Sequence, residues 1–253
     1  MKKALRILIF AASLLGFLGL LGFSGCGKQS LVPDSPHEQY EEAAAKTVPD
    51  ARILTQVPTV PDPQARYLFY LHGRIIEDQG AEKAISPEFG KYEYAEILDT
   101  LADRGFVVVS EARPKNTNVV QYAQKIAEQI NTLLKGGVPP ANITVVGASK
   151  GGAITHKISS ILHNRDLNFV LLAGCGEGYH EGFDIDLAGN VLSVYDYKDD
   201  KGAGSCADFF AKSKELNHHK EIELKLGTGH GILYKPLDEW VEPTVQWASG
   251  NYK

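Results

Sequence analysis

Short runs of consecutive apolar residues alternate along this chain with longer stretches in which apolar residues recur every third or fourth position. The first pattern predicts strands buried on both faces, the second amphipathic helices. Strands are expected at 51–56 and at 66–71 (RYLFYL), with a turn over 58–63 between them, and then at FVVVS (106–110), ITVVG (143–147), NFVLLAG (168–174), NVLSVYD (190–196) and EIELKL (221–226). Helices are expected over 89–104, where Tyr94, Ile97, Leu98 and Leu101 share a face and Gly105 closes the end, and over 120–134, 151–163, 206–216 and 237–248. Such alternation implies an α/β fold, a mostly parallel central sheet with helices on both faces. Functional groups of such a sheet collect at the carboxyl ends of its strands.

The first 50 residues break the pattern. Met1, Lys2, Lys3 and Arg6 make a basic start, residues 7–23 are almost all apolar, and Ser24, Gly25 and Cys26 follow. That order describes an export signal over 1–25. The sequence GFSGC resembles a bacterial lipoprotein box, in which the cysteine is lipidated and becomes the first residue of the mature protein, although Phe23 stands where leucine is usual. Lipidation of Cys26 and an anchored position in the bacterial cell envelope are therefore expected, with ordinary signal cleavage or a retained membrane span as alternatives. Residues 26–50 are polar, carry Pro33, Pro36 and Pro49, and read as a tether. One domain, 51–253, remains.

Its composition is ordinary for a globular chain, and 253 residues at 43% hydrophobic suffice for one large core. A net charge of -5 argues against a nucleic-acid partner. Beyond Cys26 the cysteines are Cys175 and Cys206. In a parallel sheet Cys175, just after the strand 168–174, and Cys206, opening a helix after the next strand, reach the same rim, so a disulfide is expected, with two buried thiols as the alternative.

The stretch GASKGG (147–152) follows directly on a strand and presents Ser149 between glycines. One reading is a packing turn in which Ser149 caps the next helix. The other is a nucleophile elbow, a sharp strand-to-helix turn that exposes the hydroxyl. Three further strand ends decide for the elbow: RYLFYL runs into His72, Gly73 and Arg74, NVLSVY into DYKDD, and EIELKL into GTGHG. Serine, acid and histidine thus come in that chain order, which a packing turn has no reason to produce.

With LHGR, GASKG, YDYKDD and GTGHG, the chain resembles the α/β hydrolases from about residue 51 to its end. The resemblance implies a serine hydrolase of esterase type, with Ser149 as nucleophile and His230 as base. It favours Asp199 as the acid, with Asp196 and Asp200 as alternatives. It also implies an oxyanion hole from the backbone N–H groups of Lys150 and Arg74, while His72 shapes the turn. The side chains of Lys150 and Arg74 are read as surface charge or as a positive rim favouring anionic substrates.

Residues 174–190 are too few for a large cap domain. An open pocket for small or protruding esters, thioesters or amides is expected. No cofactor and no metal are expected, because His218 and His219 are adjacent, HNRD and YHEG lack partners at ligand spacing, and GASKGG lacks phosphate-loop spacing. Acyl transfer to an alcohol or amine by the same triad, or a catalytically silent binding lipoprotein, are the rival readings.

Overall fold

A computed structural model describes residues 52–176, 186–199 and 204–253. Cys26, the segments 1–25 and 26–50, Asp200, and residues 177–185 of the stretch judged too short for a cap lie outside the described residues.

In chain order the described residues form β1 (Ile53–Leu54), β2 (Tyr67–Leu71), α1 (Arg74–Gln79), β3 (Ile85–Ser86), β4 (Gly90–Lys91), α2 (Tyr94–Asp103), β5 (Val107–Val109), α3 (Val119–Lys135), β6 (Ile143–Ala148), α4 (Lys150–Leu162), β7 (Asn168–Leu172), β8 (Ala188–Asp196), α5 (Ala207–Lys212), β9 (Glu215–Leu224) and α6 (Asp238–Ala248). Seven strands make one sheet in the order β1-β5-β2-β6-β7-β8-β9, and every neighbouring pair is parallel. The remaining two, β3 and β4, form a small antiparallel hairpin.

Strand side chains point alternately to opposite faces, and the apolar runs fill both. Leu68, Tyr70, Val146, Ala148, Val170 and Leu172 face one layer with Ile97 and Leu101 of α2 and Trp240, Val241 and Trp247 of α6. Tyr67, Phe69, Leu71, Val145, Phe169 and Leu171 face the other, with Ile126 and Ile130 of α3 and Ile154 and Ile158 of α4. This double burial explains why the strands read as uninterrupted apolar runs. Together with the strand-turn-helix at Ser149, this is the α/β-hydrolase fold.

Some expected elements differ. The helix over 89–104 begins only at Tyr94, because Gly90 and Lys91 pair back with Ile85 and Ser86. The helix over 206–216 is confined to Ala207–Lys212, and the strand expected at 221–226 starts at Glu215, where it pairs with Ala188 at the start of the long β8. His218 and His219 consequently sit on an edge strand whose charged residues, Lys220, Glu221 and Glu223 among them, discourage further strand addition.

The tightest passage in the fold is where α4 crosses β2 and β6. A Cβ on Gly151 would stand 1.8 Å from the Leu71 carbonyl oxygen, and one on Gly147 would stand 2.3 Å from the Gly151 oxygen. Both clashes involve backbone, which cannot rotate aside. Gly151→Ala is accordingly expected to destabilise the domain by about 3 kcal/mol or more. Gly204→Ala, with nothing within 4 Å of the added methyl, should stay within about 0.5 kcal/mol of the parent. Urea denaturation of the two variants checks the contrast; equal midpoints would contradict the crossing.

Candidate active site

Ser149 joins β6 to α4 at φ 52° and ψ -116°. A positive φ on a residue with a Cβ costs on the order of 1–3 kcal/mol and persists only where the surroundings impose it. They do so here: the Ser149 N–H donates to the Leu172 oxygen at 2.9 Å, and its own carbonyl accepts from Gly152 N–H at 2.7 Å. The serine side chain makes no capping hydrogen bond to α4, so the reading of Ser149 as a helix cap is not what the structure shows. Instead Ser149 and His230 line one cleft of about 260 Å³.

His230 lies in a 3-10 turn, Gly229–Leu233, beyond β9. Its Nδ1 is 2.7 Å from Asp199 Oδ2, and the Asp199 side chain is almost wholly buried. An imidazole that donates from Nδ1 to a carboxylate keeps its lone pair on Nε2. Of the two described aspartates, Asp196 at the end of β8 and Asp199 beyond it, the structure brings Asp199 to the histidine.

Asp196 does something else. Its Oδ1 accepts from the N–H groups of Lys198 and Gly229, and its Oδ2 from those of Leu226 and Gly227, all at 2.9–3.0 Å. Burial pushes the Asp196 carboxyl up, but these four donors outweigh it and hold the group below its ordinary range. One buried carboxylate thus ties the loop bearing Asp199 to the loop bearing His230.

The turn after β2 lies against Ser149, with the place of a Gly73 Cβ only 3.7 Å from Ser149 Cβ. Arg74 and Lys150 are the first residues of α1 and α4, positions whose N–H groups have no acceptor within their own helix. His72 is fully buried behind them. Its Nε2 accepts from the Arg113 N–H at 2.9 Å, so Nδ1 carries the proton and donates to the Gly73 oxygen at 2.8 Å. Desolvation first, then the Arg113 charge, lower its pKa to about 3, which makes it a neutral brace for the turn.

The Lys150 side chain is no part of a positive rim. It is 8% exposed, and its Nζ donates to Glu77 Oε2 at 2.5 Å and to the Thr117 oxygen at 2.8 Å. Arg74, by contrast, is exposed and lines the cleft. Sequence reading missed Glu77 and Arg113, whose side chains are buried and joined at 2.9 Å. Arg113 follows β5 in the stretch EARPKN, a fifth strand end that carries charged residues.

Also missed was the wall built by the β3–β4 hairpin and its neighbours. Ile75, Phe89, Tyr92, Leu233 and Tyr234 line the cleft. Tyr234 holds its ring 5.2 Å from that of Phe89 and 5.1 Å from that of Tyr92. A larger concavity of about 640 Å³, lined by Arg74, Asp78, Asn116 and Lys150 among others, contains neither Ser149 nor His230.

Cys175 and Cys206 are joined as a disulfide with Cα atoms 5.2 Å apart. With His156 they form the one group among the described residues whose possible metal-ligand atoms lie within 4.8 Å of one another. The disulfide occupies both sulfurs, which removes the thiolates a metal would need.

No protein-family model matches the chain, and no curated protein does. Solved structures that match include SOBER1 of Arabidopsis thaliana, 11% identical over 75% of this chain and 100% of that one at a TM-score of 0.48. Others are an esterase of Pyrobaculum calidifontis, 17% identical over 76% and 78% at 0.47, and Est1E from Butyrivibrio proteoclasticus, 14% identical over 77% and 90% at 0.47. At these identities and scores they say nothing about this chain's site.

Two outcomes follow from the geometry. His72 is neutral when folded down to about pH 3, whereas the unfolded chain protonates it below about 6.5. Stability should therefore be constant in this group above pH 6.5 and fall by about 1.4 kcal/mol per unit as pH drops below it. Urea unfolding at stepped pH should show a shallower acid slope for His72→Gln than for the parent. Second, peptide mapping without reductant should recover Cys175 and Cys206 linked. Breaking the bond, which spans 31 residues, should cost about 3–4 kcal/mol; two free thiols in the native protein would refute the pairing.

Proposed function

We propose that this protein is a serine hydrolase acting on small esters through an acyl-serine intermediate. The observation that carries the reading is Ser149 on a strained strand-to-helix turn, in the same cleft as a histidine whose Nδ1 is 2.7 Å from the buried Asp199. In the proposed reaction His230 Nε2 takes the hydroxyl proton as Ser149 Oγ attacks the ester carbonyl. The charge that develops on the carbonyl oxygen is met by the N–H groups of Lys150 and Arg74, already oriented by two helix starts. The proton on His230 then passes to the departing alcohol oxygen, leaving the acyl group on Ser149. Water repeats the sequence, giving its proton to His230 and displacing the serine.

The aromatic wall of Phe89, Tyr92 and Tyr234 and the modest volume of the cleft favour short or aromatic acyl groups over long chains. Export and anchoring through Cys26 belong to the same proposal; the basic, apolar and small-residue order of 1–26 supports them, as does a disulfide in the domain.

A fluorophosphonate probe tests the reading directly. The parent protein should be labelled at Ser149 and should hydrolyse short p-nitrophenyl esters, Ser149→Ala should do neither, and Asp199→Asn should lose about 10⁴-fold in kcat. Absence of labelling in the folded parent would favour a silent binding protein, and a greater loss for Asp196→Asn with an intact fold would move the acid.

A further inference from the structure

Three charged side chains lie buried side by side beneath the turn at residues 72–74, and the reaction as proposed uses none of them. Glu77 on α1 accepts from Lys150 Nζ at Oε2, 2.5 Å away, and from Arg113 Nε at Oε1, 2.9 Å away. Side-chain exposure is 1% for Glu77, 0% for Arg113 and 8% for Lys150. Arg113 goes on to donate from Nη2 to the His72 carbonyl and from its backbone N–H to His72 Nε2. His72 in turn donates to the Gly73 oxygen. A chain of charge-assisted bonds therefore runs from Lys150, the residue after the nucleophile, through one carboxylate to the backbone of residues 72–73.

We propose that Glu77 is the positioning residue of the oxyanion hole, setting the distance between the two N–H donors, Lys150 and Arg74, that belong to different elements. This rests on the functional reading above. Lys150 opens α4 and Arg74 opens α1, and α1 and α4 follow different strands, β2 and β6. Apolar packing holds such elements together without fixing their angle, whereas short bonds to a carboxylate are directional. Burying three charges is poor economy for stability alone, since well-packed apolar residues of similar volume do as well or better. Glu77 does not line the reactive cleft, which rules it out as an acid or base there. Its carboxylate offers two oxygens: one holds Lys150, and the other holds Arg113, which in turn holds the backbone of His72 ahead of Arg74.

The experiment compares the parent, Glu77→Gln, Lys150→Met and the double variant, using ester kinetics, thermal melting and affinity for a trifluoromethyl ketone, which forms a serine hemiketal whose oxyanion needs the same two donors. Lys150→Met retains the backbone N–H. For Glu77→Gln, kcat should fall on the order of 10- to 100-fold, less than the full loss of a donor. KM should stay within about twofold, and ketone affinity should weaken by the same factor as kcat/KM. The double variant, which removes the unpaired ammonium but leaves Arg113 without its carboxylate, should recover part of the lost melting temperature but not kcat or ketone affinity. Parent-like kcat and ketone affinity in folded Glu77→Gln would overturn the assignment, as would a double variant that regains activity along with stability. Should the parent itself fail to react with a fluorophosphonate, the functional reading falls and this one with it, whereas a reactive parent beside an unaffected Glu77→Gln sinks the positioning role alone.

Discussion

The passage of α4 over β2 and β6, with backbone against backbone and no room for a single methyl group, is the constraint on which the rest of the structure depends. Because the Gly151 position meets the Leu71 oxygen and the Gly147 position meets the Gly151 oxygen, the chain can enter α4 only through a sharp turn. That turn forces Ser149 to positive φ and lifts its side chain away from the capping position. It also presses the Gly73 turn against the serine and brings two helix starts to one spot. The placement of the Ser149 hydroxyl and of two helix-start N–H groups is thus the consequence of one steric fact.

The second half of the site is organised by hydrogen bonding instead of by close packing. The loops after β8 and β9 carry Asp199 and His230, and loops have little intrinsic preference for a single conformation. Asp196 supplies one, gathering four N–H groups from both loops onto a buried carboxylate. Its neighbour three residues on, Asp199, is left to face His230. Two aspartates of the same local sequence therefore divide the work: one shapes the loops, the other orients the imidazole. The disulfide between Cys175 and Cys206 reinforces this region from outside, because the chain from β8 through Asp199 lies within the segment it closes.

Between these halves sits the buried cluster of Glu77, Lys150 and Arg113 with neutral His72. Removing one member of a buried ion pair typically costs about 3–5 kcal/mol, so the cluster behaves as a unit that tolerates little change. The cluster also explains why a lysine can follow Ser149 without disturbing the cleft: its charge is turned inward and met by a carboxylate.

Much of this was legible in the sequence, because uninterrupted apolar runs and helical periodicity are local signals of double burial and of amphipathic faces. The order of the strand ends pointed to Ser149, His230 and the aspartate group, since a parallel sheet delivers every strand's carboxyl end to the same rim. The hairpin ahead of Tyr94 and the early start of β9 escaped, as both depend on pairing partners distant or weakly marked in the chain. The resemblance favoured Asp199 as the partner of His230, and the structure pairs the two, but the residues alone did not separate Asp199 from Asp196, because the two differ in which loop amides surround them after folding. Nor could composition tell that Lys150 is buried: its partner Glu77 is 73 residues away, and only the tertiary structure brings the two charges into contact and removes the water between them.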